Sequence, residues 1–317
     1  MKRNVKFIGN TSELGAGTRG SSMGLDALKI ASFSLNKQFF RTYKVEQIPN
    51  LNDRLFEDIK TNTAKRLDGI VEMYDRISKV VKQSLQNHHF PVIIAGDHSN
   101  AGGTIKGIKE AIPNERLGAI WIDAHADLHS PYTSPTGNVH GMPLATAIHE
   151  DNLACQQKKP SKTTIEHWNK IKGEHQRIKP EDLFFVGVRS TEKPEDELMA
   201  RNNIPNVKVP ELTEKGAATV AEQALNHLSN CDAIYVSFDV DSLDSSISVG
   251  TGTPVPGGLS EEQATQLLVG LLKNPKVVCL EFTEINPVLD TKGNVMAETA
   301  FRILEKAVKQ IEKTINN

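Results

Sequence analysis

Three stretches of this chain combine residue types that bind divalent metals. Asp123, His125 and Asp127 stand at alternate positions where the apolar run Gly118–Asp123 ends. In extended chain, alternate side chains point the same way. One strand end therefore presents a carboxylate, an imidazole and a second carboxylate on one side. Asp239 and Asp241 repeat the spacing at the end of Ala233–Val240, and His98 follows Pro91–Gly96 in the run Gly96-Asp97-His98-Ser99. Two imidazoles and four carboxylates are too many ligands, and too rich in oxygen, for one tetrahedral zinc. They suit harder ions such as Mn²⁺, and with a carboxylate shared between them they would hold two. Each piece alone is weak, because a lone Asp or His after a strand is more often a turn, a cap or a structural residue. The weight lies in several such pieces closing three separate runs of the same kind.

Those runs belong to a regular rhythm. Val5–Gly9, Pro91–Gly96, Gly118–Asp123, Leu183–Val188, Ala233–Val240 and Val277–Phe282 read as strands, several of them apolar throughout, as strands buried on both faces are. Leu67, Ile70, Val71, Tyr74, Ile77, Val81 and Leu85 recur at spacings of three and four, which predicts a helix over Thr63–Asn87. Further helices are expected near Thr104–Ala111, Pro194–Arg201, Ala217–Leu228, Ser260–Leu272 and Met296–Ile315. Strand–helix alternation implies a parallel sheet covered by helices. Ligands gather at the carboxyl ends of such strands, where the Asp and His residues stand. The polar stretch Gln156–Lys179 reads as a surface excursion anchored by Trp168, with Lys158, Lys159, Lys170, Lys172 and Lys179 as solvated charge. Trp121 reads as core. His88 and His89 read as a solvated pair at the end of the long helix. No internal repeat is present, so residues 1–317 are read as a single domain.

The bulk properties narrow the function classes. The net charge is -2 and no long basic run occurs, so neither nucleic acid nor a membrane surface is the expected partner. No stretch approaches the ~20 apolar residues of a membrane span. Cys155, Cys231 and Cys279 are scattered and odd in number, which argues against a disulfide framework or a thiolate metal site. The basic start is followed by too short an apolar run for a signal peptide, and a cytoplasmic location is expected.

Gly96–Ser99 (GDHS), Asp123–Asp127 (DAHAD), Ser237–Asp244 (SFDVDSLD), Thr251–Gly258 (TGTPVPGG) and Glu284–Pro287 (EINP) together resemble the ureohydrolase family, in the family's own order. The run from Ser130 to Pro143, SPYTSPTGNVHGMP, is similar to that of the arginase branch. The likeness implies a three-layer α-β-α fold with a mostly parallel sheet of about eight strands. It implies two Mn²⁺ per subunit, or other divalent transition metals, held by His98, Asp123, His125, Asp127, Asp239 and Asp241. It implies L-arginine as substrate, cut to L-ornithine and urea by a hydroxide bridging the metals. His140 would be the acid/base residue, Asp127 would take the proton of the hydroxide, and Glu284 would pair with the guanidinium. Thr136 and Asn138 would bind the amino-acid end, and Thr253 would line the site. A homo-oligomer, trimer or hexamer, is implied as well. The chain departs from the family at His129, where arginases usually carry Asn against the α-carboxylate. It departs again at Ser190 and Glu192, where they usually carry Asp, the second touching the α-amino group. These departures bear on the substrate, and the alternatives are formiminoglutamase, agmatinase or guanidinobutyrase activity.

Three rival readings remain. Gly15-Ala-Gly17-Thr-Arg-Gly20 is a literal GxGxxG, but residues 10–14 separate it from the first strand and no clear acidic partner follows. A tight loop beside the site is the alternative use of these glycines. A phosphoester hydrolase would also use two metals, yet the motif loops carry few basic residues. A non-catalytic homologue would not be expected to keep all six ligands and Glu284.

Overall fold

Ile120 and Ile122 bury against one layer of helices, and Ala119 and Trp121 against another. Alternation of this kind, apolar on both faces, places a strand in the middle of a three-layer stack. The computed structural model describes residues 3–317. Its strands are β1 (Asn4–Asn10), β2 (Val45–Ile48), β3 (His89–Ala95), β4 (Leu117–Ile122), β5 (Leu183–Val186), β6 (Asn206–Val207), β7 (Ala233–Asp239) and β8 (Val277–Thr283). They form one sheet in the order β2-β1-β3-β8-β7-β4-β5-β6, and every pairing is parallel. The helices Gly24–Leu35, Ala217–His227, Glu261–Leu271 and Val295–Asn316 cover one face. Leu67–Gln86, Ala101–Ala111, Lys162–Lys172 and Lys193–Arg201 cover the other. The α/β class and the sheet of eight strands agree with the sequence.

The order of strands positions the chemistry. β3, β8, β7 and β4 are consecutive neighbours at the centre. Their carboxyl ends lead into His98, Glu284, Asp239 with Asp241, and Asp123 to Asp127. Strands lie about 4.8 Å apart, so four adjacent ends span a distance that side chains can close over. Sequence-distant residues become neighbours because the chain leaves room between β3 and β4 and fills it later with β7 and β8.

Several expectations needed correction. The helix expected from Thr63 begins at Leu67. Residues 61–66 instead wrap the loop at Gly137, where Lys65 donates its N–H to the Gly137 carbonyl and Arg66 turns left-handed at φ 53°. The helix expected from Thr104 begins at Ala101. Its glycines lower helix propensity, but they let two helices touch: a Cβ on Gly107 would sit 2.7 Å from the Ser78 carbonyl oxygen. His89 is not a helix-end residue; it opens β3 opposite Asn4, and the left-handed turn at His88 separates it from the helix. The short outer strands β2 and β6 carry too few residues to show a pattern.

The polar excursion contains the helix Lys162–Lys172, capped by Ser161, whose hydroxyl accepts the Thr164 N–H. Trp168 is fully buried, as an anchor should be. Lys172 is not solvated charge: it is 4% exposed and pairs with Asp151 at 2.5 Å. Trp168 Nε1 donates to the same Asp151 oxygen at 2.6 Å. Lys172→Met should leave that carboxylate without its cation. A loss of about 1–3 kcal/mol in urea unfolding is expected, below the ~3–5 of a wholly buried pair because the Asp151 side chain is 27% exposed. Unchanged stability would mean that the pair contributes nothing.

Candidate active site

His98 Nδ1 lies 3.0 Å from Asp123 Oδ2, 3.1 Å from Asp127 Oδ2 and 3.1 Å from Asp239 Oδ2. His125 Nδ1 lies 2.9 Å from Asp241 Oδ2 and 3.5 Å from Asp123 Oδ1. Two groups with metal-ligand spacing result: His98, Asp123 and Asp239, and Asp123, His125 and Asp241. Asp123 belongs to both, one oxygen facing each imidazole. The six residues singled out in the sequence are thus brought together, Asp127 joining the first group through His98.

The donor set fits a pair of dications. The Nε2 of His98 is 2.8 Å from Ser237 Oγ, while Nδ1 has no hydrogen-bond partner of good geometry. A ring with its hydrogen on Nε2 would aim a lone pair at three carboxylates, which is repulsive unless a cation stands between them. Burial and mutual repulsion push Asp127, Asp239 and Asp241 upward. Burial opposes charge on His125 as well, yet Asp241 and Asp123 pull it up to about 12. The field at this point calls for positive charge, and the hard oxygen-rich set suits Mn²⁺-like ions.

The loops around the cluster are tied by backbone contacts. Asp97 Oδ2 accepts the Gly15 N–H at 2.9 Å and Oδ1 accepts the Ser99 N–H at 2.8 Å, so the glycine loop packs on the His98 turn. A Cβ on Gly15 would sit 2.5 Å from Ser99 Oγ, which accounts for that glycine without any dinucleotide. Arg189 grips carbonyl oxygens: Nη2 donates to Asp241 and Val255 at 2.9 and 2.8 Å, Nε to Pro256 at 3.1 Å and Nη1 to Gly187 at 3.1 Å. Thr253 Oγ1 reaches Asp241 Oδ2 at 3.2 Å. Asp127 and Glu284 are held left-handed at φ 51° and 64°. Such non-glycine backbone costs about 1–3 kcal/mol and collects at functional sites.

A cavity of about 230 Å³ opens over the cluster. His98, His125, Asp127, Asp239 and Asp241 form its floor, and His140 and Thr253 stand on its wall. His129, Thr136, Asn138, Ser190, Glu192 and Glu195 line it further out. Glu284 stands beside His140, Oε1 at 3.5 Å from Nδ1, and accepts the His98 N–H at 2.9 Å. Burial disfavours charge on His140, but Glu284, Asp127 and Asp97 outweigh it and raise the ring to about 8. Burial and the Lys158 charge lower His129 to about 4. Burial also pushes Glu195 up to about 8. Burial thus disfavours charge on both partners of their 3.4 Å contact.

The Arginase family model matches residues 3–309. Arginase from Brevibacillus brevis is 33% identical over 315 residues, 96% of this chain and 97% of that protein. Arginase from Bacillus subtilis is 31% identical over 310 residues, 96% and 97% of the two chains. The chain belongs to the arginase family. The native structure of arginase from Bacillus caldovelox superposes with a TM-score of 0.83 at 31% identity, covering 97% of this chain and 98% of that one. Membership makes the chain a metal-dependent hydrolase of amidine C–N bonds, and the family's binuclear metal site finds its counterpart in the two His/Asp groups.

Some functional residues carried little signal in the sequence. Glu195 takes the Glu192 N–H at 3.1 Å and the Leu128 N–H at 3.2 Å. It caps the helix Lys193–Arg201 and holds the Asp127 loop at once. The spacing of Glu192 and Glu195 around Lys193-Pro194 is a helix-start signature that could have revealed it. Arg189 left no such mark, since its partners are all main-chain. Sharing of Asp123 sets a clear test: Asp123→Asn should lose divalent metal from both positions, whereas His125→Ala should keep one ion per chain. Metal analysis after gel filtration reads the difference, and two ions retained by Asp123→Asn would overturn the shared role.

Proposed function

We propose that this chain hydrolyses L-arginine to L-ornithine and urea with two Mn²⁺ bound by His98, Asp123, His125, Asp127, Asp239 and Asp241. The observation that carries the reading is the shared Asp123 between two His/Asp groups at the floor of a cavity walled by His140. When bound, the cation pair supplies a water acidified towards neutral pH as the nucleophile. The side chains then have definite tasks. Asp127 Oδ1 lies on the Gly141 side, away from the oxygen it turns towards His98, and it receives the proton that the nucleophile gives up. His140 has Nδ1 towards Glu284, which leaves Nε2 to protonate the leaving amine; a ring that titrates near neutrality suits this role. Glu284, beside His140, pairs with the guanidinium by charge-assisted hydrogen bonds. Thr253, bonded to Asp241, keeps that ligand in line.

At the outer end, Glu192 offers a half-exposed carboxylate to an α-amino group, while Thr136 and Asn138 offer hydrogen bonds to an α-carboxylate. Asn138 is fixed for this by Lys65, whose Nζ donates to Oδ1 at 3.0 Å. The neutral His129, bonded to Thr133 Oγ1 at 3.1 Å, takes part in the same contact. A second reading is favoured by one observation: the Glu192 carboxylate and no Lys or Arg side chain line the cavity among the described residues, Glu195 being raised by burial. That balance suits a guanidino amine without a carboxylate, such as agmatine. The family likeness extends the proposal to a homo-oligomer working in the cytoplasm.

Urea release from arginine, agmatine and guanidinobutyrate, and formamide release from formiminoglutamate, measured with Mn²⁺ and then Co²⁺, test the reading. Arginine preferred by a wide margin is the expected result, and preference for agmatine or guanidinobutyrate would move the assignment. In the same assay His140→Ala should lower turnover by about 10²–10⁴ with metal content unchanged. Wild-type turnover in that variant would remove His140 from the reaction.

A further inference from the structure

Glu281 in β8 is wholly buried, and neither carboxyl oxygen has a hydrogen-bond partner among the described residues. Burying a carboxylate is unfavourable, and an apolar side chain of similar volume in its place is often neutral or stabilising. Folding alone does not explain its presence. Its surroundings are polar: the hydroxyls of Thr104 and Tyr235 are buried and unpaired too, and burial pushes the carboxyl up while Thr104, His98 and Tyr235 pull it down.

Ser237 connects this pocket to the metal centre. β7 and β8 are in register at Ser237 and Glu281, so in a parallel pair the two side chains leave the same face of the sheet side by side. Ser237 Oγ stands 2.8 Å from His98 Nε2. His98 faces its carboxylate cluster with Nδ1. To serve there as a ligand it needs a lone pair on Nδ1 and its hydrogen on Nε2. Nε2–H then donates to Ser237 Oγ, and the Ser237 hydroxyl hydrogen needs an acceptor of its own. The carboxylate in register with it on the same face is Glu281; no direct hydrogen bond joins the two, and the Tyr235 hydroxyl lies against both. Trp121 closes the ring from another side, stacked on His98 at 4.0 Å between centroids with the planes 4° apart.

We propose that Glu281 is a positioning residue for the metal centre: through Ser237 it fixes the tautomer and ring orientation of His98, and so sets the affinity for the cation that His98 holds. The proposal rests on the metal-binding reading above. A carboxylate behind a ligating histidine commonly has this effect, and its loss weakens metal binding by about 10–100-fold.

The test uses the full chain stripped of metal. Mn²⁺ binding is followed by calorimetry for wild type, Glu281→Met, Glu281→Gln, Ser237→Ala and the double variant Ser237→Ala with Glu281→Met. Urea unfolding without metal is read in parallel. Glu281→Met and Ser237→Ala should each weaken one of the two Mn²⁺ sites by about 10–100-fold. The double variant should be no weaker than the worse single, because both changes cut one chain of contacts. Metal-free Glu281→Met should be at least as stable as wild type, an outcome that a purely structural role does not give. If Glu281→Met does not fold, Glu281→Gln, which keeps the shape but loses the charge, carries the test. Wild-type affinity at both sites in the Glu281 variant, or additive losses in the double variant, would overturn the relay. Wild type that binds no pair of Mn²⁺ would overturn the metal reading itself, so the two failures are distinguishable.

Discussion

Four carboxylates and two imidazoles meet in a buried space where like charges repel strongly, and the rest of the site exists to hold them there. Unscreened, Asp127, Asp239 and Asp241 would be driven apart or take up protons, while on Asp123 the upward push of burial is overcome by His125 and His98, which hold it down. The rising pKa of three of them shows that tendency. A cluster that is unstable alone becomes favourable once dications enter it. Metal binding and local folding are then one equilibrium.

The sheet makes the crowding possible. Four central strands deliver all the ligands from one edge, and none of those strands is an outer one. Ladder hydrogen bonds on both sides keep each strand end from retreating. What the strands cannot fix is set by loops held in unusual shapes, the left-handed Asp127 and Glu284 above all. Asp97 joins the glycine loop to the His98 turn, and Glu195 joins a helix start to the Asp127 loop. Each does so by accepting main-chain N–H groups.

The Asp and His residues that cluster here were legible in the sequence because their chemistry and their spacing coincide. Alternate Asp and His after an apolar run state both the residue type and the direction of the side chain. The central strands were legible for the same reason, being apolar from end to end. Lys172 was misread because its burial depends on Asp151 and Trp168, which no local pattern announces. The start of the helix at Ala101 was hidden by glycines that serve packing rather than propensity. His129 shows a third kind of hidden information: burial and the Lys158 charge, neither visible in the local sequence, lower its ring well below the usual imidazole range.

Arg189 binds the loops at the mouth of the cavity through carbonyl oxygens alone. Such a grip senses the path of the main chain and is indifferent to what the side chains are. Residues around Val255 and Pro256 can therefore drift without loosening the floor beneath them. Within this loop only Thr253, through its hydroxyl on Asp241, ties a side chain to the floor, so a foreign loop of equal course that keeps this threonine could be grafted there.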